Sequence, residues 1–152
     1  MQDVIAKGVM LGVYIVTVKS KDKVNGMTAT WVSQVSFNPT MMMVSLAPER
    51  YTNELVKESG YFALNVLSEE QTDVAKHFGL KSGRDADKLA NVGYSAAPNG
   101  SPILDSSLAY IECKVSDIFK AGDHELFVGN VVAAKMLKDN KTPLLFRWND
   151  FF

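Results

Sequence analysis

Short apolar segments, each ended by glycine, proline or asparagine, recur along the whole chain and limit the folds open to it. Residues 14–18, 41–46 and 61–67 have the lengths and the β-branched or apolar composition typical of strands. Residues 109–119 alternate apolar with polar side chains, which is typical of a half-buried antiparallel strand, and residues 126–136 are its expected return strand. We therefore expect a mainly β protein, a barrel decorated by two or three short helices.

Boundary signals predict where turns and helices lie. Asn25-Gly26 is typical of the turn between two antiparallel strands. Thr52 is a good N-cap for a helix over residues 53–59, which Gly60 would end. Ser68 and Gln71 have the spacing of a capping box, so a helix is expected from there to about Phe78.

The later part of the chain carries weaker signals. We expect a helical turn at residues 85–90 and a short last strand at residues 142–146. Residues 91–102, rich in glycine and proline, are expected to form a long loop that lies over a neighbouring subunit or a substrate. On the strand at residues 109–119, Ile111 and Cys113 are expected to face the core while Glu112 faces water.

Size and composition exclude several classes of protein. A chain of 152 residues fits one domain over residues 1–152, and a net charge of −1 gives no broad reason to bind nucleic acid or anionic membranes. One cysteine, Cys113, cannot form an intramolecular disulfide, and two histidines argue against a zinc site, so no metal is expected. No apolar run reaches the length of a membrane span and no secretory signal is visible, so we expect a cytoplasmic protein.

Residues 25–36 are a strand-like run with more hydroxyl groups than a plain strand needs. Thr28, Thr30, Ser33 and Ser36 lie in it beside Trp31. Their hydroxyl groups suit a phosphate, a sugar or the edge of a ring. The same residues also fit a half-exposed strand whose hydroxyl groups face water.

A second candidate site lies where the helix over residues 53–59 is expected to begin. The free N–H groups of a helix start carry partial positive charge, and Arg50 and Thr52 come just before it. Together they suit a phosphate, although the residues by themselves favour a solvated arginine beside a capped surface helix. No glycine-rich dinucleotide fingerprint, P-loop or nucleophile elbow is present.

Four stretches of the chain resemble, in order and spacing, the motifs of the flavin reductase-like family of FMN-binding split β-barrels, and its flavoredoxin-like branch in particular. The first is Asn25-Gly26-Met27-Thr28-Ala29-Thr30-Trp31 followed by Val35-Ser36-Phe37-Asn38-Pro39. The second, Ser45-Leu46-Ala47-Pro48-Glu49-Arg50-Tyr51-Thr52, resembles the phosphate segment. The others are Ser82-Gly83-Arg84-Asp85-Ala86-Asp87-Lys88, and Gly122-Asp123-His124 with Leu126-Phe127-Val128-Gly129.

The resemblance implies a six-stranded split β-barrel that works as a homodimer, with FMN as cofactor near the subunit interface. It implies three groups of cofactor-binding residues: Asn25, Thr28, Ala29, Thr30 and Trp31 along the ring and ribityl chain; Ser45, Leu46 and Ala47 on the next strand; and Arg50, Tyr51, Thr52 and Lys88 at the phosphate or the polar edge of the ring. His124 is implied to lie close to the flavin, as a cofactor contact and as the catalytic residue.

Three functions fit this resemblance. The first is an FMN-dependent oxidoreductase that passes electrons from NAD(P)H to an acceptor, and the second is an FMN electron-transfer protein reduced by a protein partner. The third is a flavin-binding or structural barrel without turnover. The C-terminus keeps Pro143, Leu144, Leu145 and Arg147 of the family's usual ending and departs from it afterwards, so the electron donor stays open.

Overall fold

The structure is a computed structural model that describes residues 1–152 as a mainly β protein. Its elements are α1 (Gln2–Gly8), β1 (Tyr14–Ser20), β2 (Lys23–Ala29), β3 (Val32–Ser36), β4 (Met41–Leu46), α2 (Tyr51–Ser59), β5 (Tyr61–Val66), α3 (Thr72–Gly79), β6 (Tyr94–Ala96), β7 (Pro102–Leu104), β8 (Ala109–Ala121), β9 (His124–Met136) and α4 (Trp148–Phe151). No helix is both long enough and apolar enough to cross a lipid bilayer.

The principal sheet has seven antiparallel strands in the order β2-β1-β5-β8-β9-β4-β3, and β6 and β7 form a separate hairpin. The two edge strands, β2 and β3, are separated in the chain only by Thr30 and Trp31, so the chain itself brings the two edges together at that point. The expected number of six strands differs from the seven observed. The reason is that residues 25–36 are divided between β2, which pairs with β1, and β3, which pairs with β4.

The predicted turn at Asn25-Gly26 is wrong, because both residues lie inside β2, opposite Val18 and Thr17. The chain turns earlier, after β1, where Lys21 has a φ of 59°. Glycine suits this position of the strand because there is little room for a side chain: a Cβ atom on residue 26 would lie only 3.2 Å from the ring of Phe78 on α3. The buried polar side chain of Asn25 is stabilised in the strand by a hydrogen bond to Thr52.

Helix boundaries follow the predictions in part. Helix α2 begins at Tyr51 with Arg50 as its N-cap, so Thr52 lies inside the first turn and is not the cap. Gly60 ends the helix in the left-handed conformation, with a φ of 78°, as predicted. The N–H of Ser68 donates to the side chain of Gln71 at 2.9 Å, but α3 begins only at Thr72 with Gln71 as its N-cap, so the helix start predicted at Ser68 is wrong.

Three further predictions are corrected. Residues 85–90 form turns and no helix, and residues 91–102 contain β6 and the start of β7 rather than one long loop. Residues 142–146 form only isolated bridges, Pro143 with Ser68 and Leu145 with Gly12. Helix α1 was not expected from the sequence, and none of its residues is buried.

Two apolar clusters support the sheet. One lies between the sheet and α2 and includes Phe62, Phe127 and Leu55. The other lies under α3 and includes Ile15 and Phe78. Because α2 packs against β1 and β5, its first turn is held firmly beside the end of β4.

The expectation that Glu112 faces water is wrong, since the structure buries its side chain completely. The turn before β7 covers this face of β8. Both the backbone N–H and the side-chain amide of Asn99 donate to Glu112 Oε1, at 3.1 and 3.2 Å. Alternation along β8 correctly placed Cys113 in the core, but it could not reveal that a distant turn covers the opposite face.

Candidate functional site

A polar pocket of about 270 Å³ opens at the start of α2. Two of its walls come from β2 and α2, and the third comes from the segment between α3 and β6. Its lining residues are Asn25, Met27, Glu49, Arg50, Tyr51, Thr52, Lys81, Ser82, Gly83, Arg84 and Lys88. Four of these side chains are cationic and one is anionic, so the pocket suits an anion.

The start of α2 supplies free hydrogen-bond donors to this pocket. The backbone N–H groups of Tyr51, Thr52 and Asn53 have no backbone acceptor, as expected for the first turn of a helix. The side-chain amide of Asn25 donates to Thr52 Oγ1 at 2.9 Å. Because this hydroxyl oxygen already accepts from Asn25, its own hydrogen is available to donate to a ligand.

Lys88 is the buried cation of the pocket, with only 4% of its surface exposed. Its ammonium group donates to the carbonyl oxygens of Phe78 and Lys81, each at 3.0 Å. An ammonium has three donors, so one is left for a ligand. Burial first, and then the nearby charge of Arg50, lower the pKa of Lys88 to about 8.

Arg84 closes the pocket from the side. Its guanidinium group donates to the carbonyl oxygen of Glu49 at 3.0 Å and lies 3.5 Å from the carboxylate of Glu54. It also lies over the ring of Tyr51, 5.1 Å from the centroid. These contacts join the segment at residues 81–84 to the start of α2.

Gly83 is required where this segment meets β2. A Cβ atom at this position would lie 2.2 Å from Asn25 Oδ1, so any side chain would displace the Asn25 amide. Lys81, Ser82, Gly83 and Arg84 were missing from the predicted site residues. The sequence carries a signal for three of them, because Ser82, Gly83 and Arg84 belong to the same motif as Lys88.

A second group of side chains lies beside the C-terminal end of β4, where the run of chain that leads to α2 begins. The rings of Trp31 and His124 are 4.7 Å apart between centroids, and about half of the Trp31 surface is exposed. His124 Nδ1 lies 2.7 Å from the carboxylate of Asp123, whose pKa is lowered by its hydrogen bond to His124. Since an ionised carboxylate only accepts, Nδ1 carries a hydrogen, which leaves Nε2 to accept when the ring is neutral and to donate when it is charged.

The chain at residues 45–50 connects this aromatic pair to the pocket. The N–H of Ser45 donates to the carbonyl oxygen of Trp31 at 3.0 Å. Five residues later, the N–H of Arg50 donates to the carbonyl oxygen of Ala47 at 3.1 Å. Arg50 is the N-cap of α2, which begins at the next residue. One short run therefore passes from an exposed aromatic pair to a cationic pocket.

Most of the predicted site residues lie in the pocket or beside Trp31 and His124, but some predicted side chains point away from both. The residues that line the pocket are Asn25, Arg50, Tyr51, Thr52 and Lys88. Trp31, Ser45 and His124 lie together where the run at residues 45–50 begins. Thr28 points to the opposite face of β2, where its hydroxyl group donates to the carbonyl oxygen of Ala75 on α3.

The apolar members of the predicted set are buried. Ala29 and Leu46 belong to the core cluster beneath α2, and Ala47 is buried as well. At these positions only the backbone can meet a ligand. Thr30 is half-buried at the bend between β2 and β3, beside Trp31.

The chain is similar to known proteins over most of its length. The model of the family described as "flavin reductase like domain" matches residues 6–152. A high molecular weight rubredoxin of Moorella thermoacetica is 36% identical over 83% of this chain. The chain spans 56% of the length of that rubredoxin and 24% of the length of a putative diflavin flavoprotein of Nostoc sp., to which it is 38% identical over 89% of its own length.

Two solved structures illustrate the similarity of fold. The chain is 32% identical to the flavin reductase HpaC, crystallised with NADP⁺, and covers 97% of that chain with a TM-score of 0.86. It is 28% identical to an FMN-binding protein from Thermus thermophilus, of which it covers 86% with a TM-score of 0.88. In both cases at least 95% of this chain is matched.

Proposed function

Since the chain belongs to the flavin reductase-like family, as its motifs indicated, we propose that it binds FMN and passes electrons from NAD(P)H through it to an acceptor. The observation that carries the proposal is the cationic pocket at the start of α2, joined by one short run of chain to the exposed pair Trp31 and His124. FMN has a matching layout, with a phosphate at one end of a ribityl chain and a large apolar ring at the other.

The pocket fits a phosphate monoester in charge and in hydrogen bonding. A phosphate monoester carries a charge of roughly −1.5 to −2 near neutral pH and three acceptor oxygens. The free N–H groups of Tyr51 and Thr52, the Thr52 hydroxyl and the third ammonium hydrogen of Lys88 are donors on residues that line one small volume. Arg50 adds a charge-assisted donor.

The residues at the other end of the site would hold the ring. When bound, FMN supplies the capacity to accept a hydride and release electrons singly or in pairs. Trp31 offers an exposed aromatic face, and the backbone of Ser45, Leu46 and Ala47 borders the same region. His124 holds a proton at Nδ1 through Asp123 and presents Nε2 for a hydrogen bond at the reacting end of the site.

We also propose that the protein is a homodimer and that β2 and β3 act as one bent strand of a six-stranded split barrel. Support for the dimer comes from large apolar side chains at the surface: Phe37 is 89% exposed and Phe152 is 77% exposed. Apolar surface of this kind often marks an interface. Part of the predicted interface segment 91–102 also exposes Tyr94.

The absorbance of the purified protein tests the function directly. We expect a yellow protein, or one that becomes yellow with FMN, and we expect its flavin bands to bleach when NADH or NADPH is added without oxygen. FMN rather than FAD should be released on denaturation, because the pocket suits a terminal phosphate. A protein that stays colourless after incubation with FMN would refute the proposal.

A second function is favoured by one comparison. The similarity to a high molecular weight rubredoxin suits an FMN electron-transfer protein that is reduced by a redox protein instead of a nicotinamide. In that case NADH and NADPH would leave the flavin bands unchanged, while a chemically reduced rubredoxin would bleach them. The same anaerobic cuvette therefore separates the two functions.

A further inference from the structure

Asn53 occupies the first turn of α2, directly after Thr52, and is almost completely buried, with 1% of its surface exposed. Its side-chain amide donates to Glu125 Oε1 at 3.1 Å and makes a longer contact with the carbonyl oxygen of Leu46 at 3.4 Å. Leu46 is the last residue of β4, and Glu125 is the second residue of β9. One amide therefore joins three elements that build the site.

The position of Glu125 makes this contact important for His124. Glu125 is paired with Leu46 in the ladder between β4 and β9, and this is the last pair of that ladder. His124 comes one residue earlier and pairs only with Ala121 across the β8–β9 hairpin, whose end exposes Phe119. The Asn53–Glu125 bond is thus one of two side-chain contacts next to His124 that join this end of the hairpin to α2, and the other comes from Lys57.

Lys57 contributes to the same carboxylate from the surface. Its ammonium group donates to Glu125 Oε1 at 2.8 Å. The hydrogen bonds from Lys57 and then from Asn53 lower the pKa of Glu125, so the group is ionised at neutral pH and remains a strong acceptor. Because 43% of the Lys57 side chain is exposed, its ion pair is screened by water, whereas the Asn53 amide is buried.

We propose that Asn53 and Glu125 are positioning residues that fix His124 relative to the anion pocket. The inference rests on the proposed role of His124 in flavin reduction. The pocket and His124 lie on different elements, and Asn53 and Glu125 are 72 residues apart in the chain, so their bond joins the two ends of the site through space, beside the Leu46–Glu125 pair of the ladder. A displacement of about 1 Å in a reacting group can cost on the order of a hundredfold in rate.

The test compares three substitutions in the full-length protein. Glu125→Met removes the acceptor, Glu125→Gln keeps a carbonyl oxygen for Asn53, and Lys57→Met removes the surface ion pair but leaves the buried bond. For Glu125→Met we expect the rate of flavin reduction at saturating donor to fall about tenfold, with FMN affinity unchanged within about twofold. Glu125→Gln and Lys57→Met should stay within about twofold of the unsubstituted protein in both measurements.

A second measurement does not depend on flavin. In a Trp148→Phe background Trp31 is the sole tryptophan, and its fluorescence reports the ring of His124 because imidazolium quenches indole more strongly than imidazole does. We expect the pH-dependent quenching to persist in Glu125→Gln and Lys57→Met and to weaken in Glu125→Met. Asn53→Leu, if it folds, should behave as Glu125→Met does.

The outcomes separate the positioning role from the proposed function. Unchanged quenching in Glu125→Met would overturn the positioning role, whether or not the protein reduces flavin. Equal losses in Glu125→Gln and Glu125→Met would overturn it as well, since the charge rather than the hydrogen bond would then matter. If no flavin is bound or reduced, the proposed function fails while weakened quenching still supports the positioning of His124.

Discussion

Lys88 leads to a prediction in which two properties of the protein respond to pH in opposite directions. In the folded protein its pKa is lowered from 10.5 to about 8, by burial first and by Arg50 second. A phosphate placed in the pocket would favour the charged ammonium and raise this pKa again. Above pH 8 the free protein must therefore take up a proton to bind FMN, and its affinity should fall as the pH rises.

The size of both pH effects follows from the shift in the pKa of Lys88. The pKa of Lys88 falls from 10.5 to about 8. At about 1.4 kcal/mol per pKa unit, this shift means that the protein without ligand destabilises the charged form of Lys88 by roughly 3 kcal/mol. Between these two pH values the unfolded chain binds more protons at Lys88 than the folded protein does. The free energy of unfolding of the protein without ligand should therefore rise with pH across this window, while FMN affinity should fall by up to about tenfold per pH unit.

The assay is a titration of FMN fluorescence from about pH 7, where the phosphate is already largely dianionic, to about pH 9.5. We expect a flat Kd below pH 8 and a rising Kd above it, with urea unfolding of the flavin-free protein measured over the same range. Lys88→Met should bind FMN more weakly, by roughly tenfold to a hundredfold, and should lose the pH dependence of both properties. Because the substitution leaves two carbonyl groups without a partner, the slopes and not the absolute stabilities are compared.

Two results would refute this reasoning. A Kd of the unsubstituted protein that stays constant up to pH 9.5 would show that the proton on Lys88 is not linked to phosphate binding. An equal slope in Lys88→Met would assign the pH dependence to another group.

The other predictions concern single positions of the site and the assembly. Thr52→Val, which keeps the shape of the side chain but removes the hydroxyl, should weaken FMN binding by roughly tenfold or more in the same titration, and it should also lower the thermal midpoint of the flavin-free protein because the buried Asn25 amide loses its acceptor; equal affinity would leave Thr52 as a structural partner of Asn25 alone. Gly83→Ala should weaken FMN binding because its methyl group would displace the Asn25 amide, and Gly8→Ala, where a Cβ atom meets nothing within 4 Å, serves as the control. His124→Ala should keep FMN bound but slow its reduction roughly a hundredfold in stopped-flow bleaching at saturating donor; loss of flavin would instead make His124 a binding residue. Light scattering after size exclusion should give the mass of a dimer, and a monomer with flavin bound would remove the interface from the site.

Local composition was sufficient for the regular elements whose neighbours agree with it. The segment Met41–Leu46 was predicted with the bounds the structure shows, and Gly60 ends α2 as expected. In both cases the signal depends on a few adjacent residues, β propensity in one and a left-handed C-cap in the other. The motifs also indicated the family correctly, because they stand in the right order along the chain.

Errors arose where a residue far away in the chain decides the outcome. Asn25-Gly26 has the local signature of a turn, but Thr52 accepts a hydrogen bond from Asn25 and Phe78 packs against Gly26, so both stay in β2. Glu112 alternates as an exposed residue would, but a turn at Asn99 covers it. The pattern of a strand indicates which residues share a face, but only the packing of other elements decides whether that face is exposed to solvent.

The site follows the same division. The sequence by itself determined which donors and cations were available: Arg50, Thr52 and Lys88 were named as candidates from the helix signal and the motifs. Only the tertiary structure decided that the segment at residues 81–84 closes the pocket and that Asn53 reaches Glu125, 72 residues away. The physical reason is that hydrogen bonds and burial act through space, so their partners are set by the order and register of the strands and not by neighbours in the chain.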